Sequence, residues 1–308
     1  LYTIYTLPLG HLLRSLGISF HFYADDTQLY ISFDSGNKIS LNDAKKMIEL
    51  CVSAVKSWMT KVKLKLNGDK TEVILISSPY FEKRQSLDSF HVDDTSIDPD
   101  SCIKNLGAHF DNTMSMKNQV NYICKNVSYH LRNIGKVRKY LTETSCKALV
   151  QSLVFSRIDY VNGLLYGIPE CDINRLQRLL HIAARIICRP SPSQPIKEVL
   201  FDLHWLPVKQ RIEYKLLLLC YKALNGVGPS YLKSLLKPTE SDKDLRSSTK
   251  NLLEVPKTST KFGDRAFCCS APVLWNSLPE ELKNISKLDT FKRNLKTHLF
   301  RTVYDDLC

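Results

Sequence analysis

Two adjacent aspartates, Asp25 and Asp26, are the residues in this sequence whose type and setting most strongly indicate chemistry. Like charges this close repel each other, and a bound divalent cation relieves that repulsion. Magnesium prefers hard oxygen ligands, commonly one or two carboxylates together with substrate phosphates. The pair therefore indicates a Mg²⁺ site for phosphoryl or nucleotidyl transfer, in which two ions hold the attacking and leaving oxygens in line.

The alternative for an Asp-Asp pair is a solvated surface turn without a chemical role. The flanking sequence argues against that alternative, because apolar side chains alternate with polar ones on both sides of the pair: Ile18, Phe20, Phe22, Leu29 and Ile31. Such alternation predicts half-buried strands, and two strands around a short acidic break predict a β-hairpin. We therefore expect the two carboxylates at the tip of a hairpin.

An amphipathic helix and a few short strands are predicted after this hairpin. Apolar residues recur at spacings of three and four between positions 41 and 58, which is the pattern of a helix with one buried face. Ser40 and Asp43 resemble a capping box at its start. Further on, 71–76 predicts a strand and 103–110 predicts a short strand pair.

The sequence pattern becomes helical from about residue 114. Apolar faces at helical spacing run through 120–134, 146–158 and 173–187, and two more helices are predicted at 207–224 and 288–300. Three prolines between residues 190 and 195 predict a stiff linker. The expected fold class is α+β, divided into 1–112, 113–189 and 190–308.

Charge favours a polyanionic partner, of which nucleic acid is the most common. The chain has a net charge of +12, and residues 114–160 contain eight Lys and Arg against two acidic residues, a net of +6. Lys136, Arg138 and Lys139 are the densest cluster, and we predict that they contact phosphates independently of base sequence. The alternative is a solvated helix face that acids elsewhere balance.

The cysteine pattern and the hydropathy of the sequence indicate the cellular compartment. The ten cysteines form no C-x-x-C pair, which disfavours a zinc ribbon or finger. No secretory signal opens the chain and no apolar run reaches the length of a membrane span. We therefore expect an intracellular protein, cytoplasmic or nuclear or both, without a membrane partner.

Three motifs resemble those of one family. Tyr23-Ala24-Asp25-Asp26 is similar to the Y-A-D-D box of reverse transcriptases from non-LTR (LINE-type) retrotransposons. The segment 66–72, L-N-G-D-K-T-E, resembles the L-N-x-x-K-T-E motif that follows it, and 105–111 resembles the primer-grip hairpin N-L-G-x-x-x-D. Order and spacing agree, and 203–212 and 263–279 resemble the family's C-terminal region. The resemblance covers almost the whole chain.

The resemblance implies an architecture and an activity. The first part would be a partial polymerase palm, an antiparallel sheet with a packed helix, followed by a mostly helical thumb and a C-terminal helical extension. The activity would be that of an RNA-directed DNA polymerase, a magnesium-dependent nucleotidyltransferase acting on an RNA template, a DNA primer and nucleoside triphosphates.

The resemblance also implies roles for individual residues. Asp25 would bind the metal, and Asp26 would be its neighbour and a weaker or indirect ligand. Tyr23 and Ala24 would shape the turn beside the primer end. Lys70 would contact or protonate the leaving pyrophosphate, although an ordinary solvated lysine is the alternative.

The primer-grip motif implies one further contact with nucleic acid. Leu106 and Gly107 would form a bend that steadies the primer strand, where a residue without a side chain lets the backbone approach closely.

The family's earlier aspartate strand and its Q-G-S-x-L-G-P segment have no counterpart here, and 1–8 resembles sequence just downstream of that segment. We therefore expect a C-terminal fragment that is inactive alone. A non-enzymatic nucleic-acid-binding remnant and a relic without a role are the alternatives, and the oligomeric state is not predicted.

Overall fold

The computed structural model describes residues 2–33, 40–78, 88–92, 95–239 and 251–307. Helices and three two-stranded sheets make up the fold, so the predicted α+β class is confirmed. Contacts divide the chain into two compact units. The first contains Leu1–Ile103 and Asp111–Thr113, and the second contains Lys104–Phe110 and Met114–Cys308.

The first unit begins with helix α1 (Tyr2–Ser15) and a hairpin of strands β1 (Ser19–Tyr23) and β2 (Asp26–Tyr30), followed by helix α2 (Leu41–Lys61). β1 and β2 pair in antiparallel register, as the alternating pattern predicts. Apolar side chains from α1, α2 and the start of the hairpin form a small core: Leu9, Leu13, Ile18, Cys51 and Val55. The apolar face of α2 therefore packs in a core with α1 and with Ile18 at the base of the hairpin, and most residues of the two strands are exposed.

The predicted start of α2 is confirmed. The Ser40 hydroxyl accepts a hydrogen bond from the Asp43 amide at 3.1 Å and donates one to the Asp43 carboxylate at 2.6 Å. Such a cap satisfies an amide that has no partner within the helix.

The strand predicted at 71–76 is wrong. Within the described ranges, the segment makes only one isolated bridge, between Val73 and Pro99, because a proline has no N–H to continue a ladder. Strands β3 (Phe90–Val92) and β4 (Thr95–Ile97) instead form a separate antiparallel pair.

The second unit contains the hairpin turn between β5 (Cys102–Asn105) and β6 (Ala108–Asp111), which confirms the strand pair predicted at 103–110. Helices α3 (Lys117–Val137), α4 (Glu143–Val150) and α5 (Glu170–Cys188) follow. Helix α4 continues through a π-helical turn at Gln151–Phe155 and a helical turn at Ser156–Ile158. The apolar faces of these segments pack into one core, although Leu149 and Leu153 of the face predicted at 146–158 are only partly buried.

The remaining helices are α6 (Ile196–Asp202), α7 (Val208–Leu224), α8 (Ser230–Ser234), α9 (Lys261–Asp264), α10 (Phe267–Asn276), α11 (Glu280–Lys283) and α12 (Leu288–Tyr304). Pro195 and Pro207 stand at the N-caps of α6 and α7, where the missing N–H costs nothing. Ile187 of α5 and Ile212 of α7 share one core, so residues on both sides of the proline-rich segment belong to a single compact unit.

Two findings concern the described ranges as a whole. None of their helices has the length and apolar character needed to cross a membrane. All nine cysteines within them are free thiols.

Candidate nucleic-acid interface

Asp25 and Asp26 lie at the tip of the β1–β2 hairpin. The register pairs Tyr23 with Asp26, so Ala24 and Asp25 form the turn. Ala24 adopts a φ of 55°, a left-handed conformation that most residues avoid. Both acidic side chains are exposed, and Tyr23 is 65% exposed beside them. The expected hairpin position of the two acids is confirmed.

The carboxylates at this tip are open to a cation. In the described part of the chain, neither Asp25 nor Asp26 has an ion pair or a side-chain hydrogen bond. Across the same ranges, no three or more His, Cys, Asp and Glu side chains converge on a point that could hold a metal ion. Magnesium binding at this tip therefore stays a prediction, and it would need further ligands from phosphates and water.

Lys70 ends a short 3-10 turn, Gly68–Lys70, and is exposed. Within the described residues of the first unit, no hydrogen bond or ion pair joins it to Asp25 or Asp26. Its contact with a leaving pyrophosphate therefore stays a prediction.

The β5–β6 turn has an unusual backbone. Leu106 and Gly107 have φ values of 45° and 83°, and positive φ at both central residues is what a type I′ hairpin turn requires. The Tyr160 hydroxyl donates a hydrogen bond to the Leu106 carbonyl. A Cβ on Gly107 would lie 3.4 Å from the Tyr160 ring, so tyrosine and turn are in close contact. Sequence analysis missed Tyr160, because a single tyrosine after a helix has no local signature.

Helix α3 holds the same hairpin on its other side. The Gln119 side-chain oxygen accepts a hydrogen bond from the His109 amide at 2.9 Å. The His109 and Tyr122 rings lie 4.7 Å apart between centroids, and the Lys104 ammonium lies 5.9 Å from the Tyr122 ring. The predicted primer-grip bend is therefore fixed to the second unit through Tyr122 and Tyr160.

Arg138 differs from the two lysines of the predicted phosphate-binding cluster, because it has partners within the protein. Its guanidinium donates to the carbonyls of Leu141, Ile186 and Ile187 at 2.7, 2.8 and 2.8 Å. The last two carbonyls lie at the end of α5, where basic side chains satisfy groups without a helical partner. Arg138 thus has a structural role at the end of α5, and its contact with a phosphate stays a prediction.

Lys136 and Lys139 remain exposed cations of that cluster. The Lys139 ammonium lies 4.7 Å from the centroid of the Tyr140 ring, which is 78% exposed. An exposed lysine next to an exposed tyrosine offers both a phosphate contact and a stacking surface.

Helix α3 carries a longer stripe of the same kind, which we call the α3 stripe: Tyr122, Lys125, Tyr129, Arg132 and Lys136. All five are exposed and follow one another at spacings of three and four, so they share one face of the helix. The helix contains no acidic residue. Applying the helical period to the polar positions, and not only to the apolar ones, would have found this stripe.

Histidine contributes little charge to this surface near neutral pH. Burial, and next the charge of Arg157, lower the pKa of His130 on α3, so that ring is neutral at pH 7. The positive charge of α3 therefore comes from its lysines and its arginine. No family model, curated protein or solved structure matches this chain.

Proposed function

We propose that this chain is part of an RNA-directed DNA polymerase of the non-LTR retrotransposon type, with a partial palm in its first unit and a nucleic-acid-binding thumb in its second. The observation that carries the proposal is the placement of Asp25 and Asp26, with free and exposed carboxylates, at the tip of an antiparallel hairpin. Polymerase chemistry needs carboxylates presented in this way to hold metal-bound phosphates.

Each motif has a proposed part in the reaction. Asp25 and Asp26 hold magnesium, which when bound neutralises charge on the phosphates. The exposed ring of Tyr23 borders the primer end. The Leu106-Gly107 turn steadies the primer strand, because its backbone is locked in one conformation by the Tyr160 hydroxyl.

The α3 stripe is the proposed contact with template and primer. Its three cations neutralise phosphates, and its two tyrosines offer faces on which unpaired bases can stack. No acid on α3 opposes the approach of a polyanion. Such binding is independent of base sequence and weakens as salt rises.

A non-enzymatic nucleic-acid-binding protein is the second candidate function. It is favoured by the location of the α3 stripe, the Leu106-Gly107 turn and Lys139 within the second unit, because none of these needs the aspartate pair. Either function places the protein where nucleic acids are, in the cytoplasm or the nucleus.

Nucleic-acid binding is tested by fluorescence anisotropy with a labelled RNA–DNA primer–template at increasing salt. The triple change Lys125→Gln, Arg132→Gln and Lys136→Gln is expected to weaken binding at low salt and to reduce the salt slope by roughly three. The matched control changes three exposed lysines on other segments of the second unit: Lys233→Gln, Lys237→Gln and Lys257→Gln. Equal losses in both variants would contradict a role for α3.

Catalysis is tested by primer extension with magnesium. We expect these 308 residues to incorporate no nucleotide by themselves, because two carboxylates on one hairpin do not complete a two-metal site. Incorporation that Asp25→Ala abolishes would refute this expectation. The coding sequence upstream of Leu1 separates the two candidates: an in-frame aspartate strand and Q-G-S segment support the polymerase, and a stop codon supports the non-enzymatic protein.

A further inference from the structure

A cavity of about 320 Å³ lies beside the Leu106-Gly107 turn, within the second unit. Four of its lining residues, Gly107, Tyr122, Ser156 and Tyr160, are exposed, so the cavity can be reached from solvent. Small-molecule sites span about 300 to 1,000 Å³. The volume therefore suits one compact ligand, of the size of a single nucleotide.

Two aromatic rings line this cavity and are held in place. Tyr160 is fixed by the hydrogen bond from its hydroxyl to the Leu106 carbonyl. Tyr122 is fixed by the His109 ring and the Lys104 ammonium. Tyr122 is 41% exposed and Tyr160 is 47% exposed, and partly exposed tyrosines are surfaces on which planar heterocycles stack.

Two side-chain amides in the lining have hydrogen-bonding capacity left over. The Gln119 oxygen accepts from the His109 amide, which leaves its NH₂ group as a donor. The Asn126 NH₂ group donates to the Tyr122 carbonyl, which leaves its oxygen as an acceptor. In the described part of the chain, that donor and that acceptor have no protein partner, and together they complement the mixed edge of a nucleobase.

The charge around the cavity favours an anion. Arg157 uses one nitrogen to donate to the Leu153 carbonyl at 2.7 Å, and the rest of its guanidinium can contact a phosphate. No described residue of the lining is acidic. Asp159, which precedes Tyr160 in sequence, is paired with Arg211, so its charge is compensated.

We infer that this cavity binds one unpaired nucleotide, with its base against Tyr122 or Tyr160, the base edge on Gln119 and Asn126, and its phosphate on Arg157. The same chemistry fits a free nucleotide and an unpaired base of a bound strand. The second source rests on the proposed function, since Tyr122 also begins the α3 stripe and connects that surface to the cavity.

The experiment measures the binding of AMP to the full chain by calorimetry or NMR titration, with adenosine as the phosphate-free comparison. Ser156→Phe places a ring in the cavity from an exposed position and is expected to weaken AMP binding by at least about tenfold. Ser152→Phe is the matched control, because Ser152 is exposed one turn earlier and lies outside the lining. It is expected to bind AMP like the unchanged protein.

A second variant keeps the inference testable if Ser156→Phe does not fold. Arg157→Gln is expected to weaken AMP binding and to leave adenosine binding unchanged, because only the phosphate contact is lost. Absence of saturable AMP binding at millimolar concentrations, or equal AMP binding by Ser152→Phe and a folded Ser156→Phe, would overturn the inference.

Two oligonucleotides identify the source of the nucleotide. A duplex with one unpaired adenine should bind more tightly than its fully paired counterpart, and Ser156→Phe should remove that preference. AMP binding without such a preference supports the cavity as a site for free nucleotides. AMP binding by a protein that binds no duplex also supports the cavity, although it would refute the proposed function of the α3 stripe.

Discussion

The hydroxyl of Tyr160 donates a hydrogen bond to the carbonyl of Leu106, which lies 54 positions earlier in the chain. Leu106 has a φ of 45°, and a residue with a branched side chain in this left-handed region carries a cost of roughly 1–2 kcal/mol. Such a conformation persists only where its surroundings hold it. The tyrosine is therefore part of what keeps the β5–β6 turn in the shape proposed to steady a primer.

Removing that hydroxyl should destabilise the second unit. We expect Tyr160→Phe to lower the free energy of unfolding by about 0.5–1.5 kcal/mol, the usual net contribution of one hydrogen bond. Urea denaturation followed by circular dichroism measures the change. Tyr129→Phe is the control, because Tyr129 is 63% exposed and its change should stay within about 0.5 kcal/mol. Equal stabilities of the two variants would mean that the bond contributes nothing.

Gly107 is expected to be the residue of this turn that least tolerates a side chain. Gly107→Ala forces an alanine to a φ of 83° and places its Cβ 3.4 Å from the Tyr160 ring, so we expect a loss of about 1–2 kcal/mol. Gly135→Ala is the control within the same unit. Gly135 lies inside α3, where alanine is favoured over glycine by up to about 1 kcal/mol, and a Cβ there would meet only Ile186 at 3.9 Å. The two substitutions should therefore change stability in opposite directions in the same denaturation assay.

Apolar periodicity predicted the core of the second unit well, because burial follows the helical period directly. Every residue expected on the inner face of α3 is buried: Val120, Ile123, Val127, Leu131 and Ile134. The hairpin that carries Asp25 and Asp26 was also predictable, since two segments of alternating apolar and polar residues, joined by a short break, are typical of a β-hairpin. Local sequence patterns were sufficient to predict elements whose structure depends on residues close together in the sequence.

Local patterns were insufficient where distant residues decide the structure. The segment 71–76 has the composition of a strand, but its neighbour is Pro99, which cannot continue a ladder. Arg138 stands in a dense basic cluster, yet its partners at Ile186 and Ile187 are 48 and 49 residues away. Charge density in a sequence does not distinguish an exposed cation from one bound to carbonyls of another helix.

The different roles of Arg138 and Lys139 predict opposite effects in two assays. Arg138→Gln should lower the free energy of unfolding by about 2 kcal/mol, because a glutamine cannot reach three carbonyls and hydrogen bonds from charged groups contribute about 1.5–3 kcal/mol. Its effect on the salt slope of nucleic-acid binding should be small. Lys139→Gln should reduce that slope by about one and change stability by less than about 0.5 kcal/mol. A reduced salt slope in Arg138→Gln, with stability unchanged, would mean that Arg138 contacts nucleic acid and that its bonds to the carbonyls contribute nothing to stability.

Glu213 on α7 predicts a pH dependence of stability in the second unit. Burial raises the pKa of its carboxyl above the ordinary value of 4.5, and Lys209 lowers it only in part. The folded protein therefore holds this proton more tightly than the unfolded chain, so the stability that the group contributes is greatest below the ordinary value and is lost as pH rises through the folded pKa. Glu213→Gln removes the charge of this partly buried side chain, and its free energy of unfolding should exceed that of the unchanged protein at pH 7 but not at pH 4. The exposed Glu254 supplies the control, since Glu254→Gln should show no such difference between the two pH values. A gain for Glu213→Gln that is equal at both pH values would show that the carboxyl does not titrate differently in the folded protein.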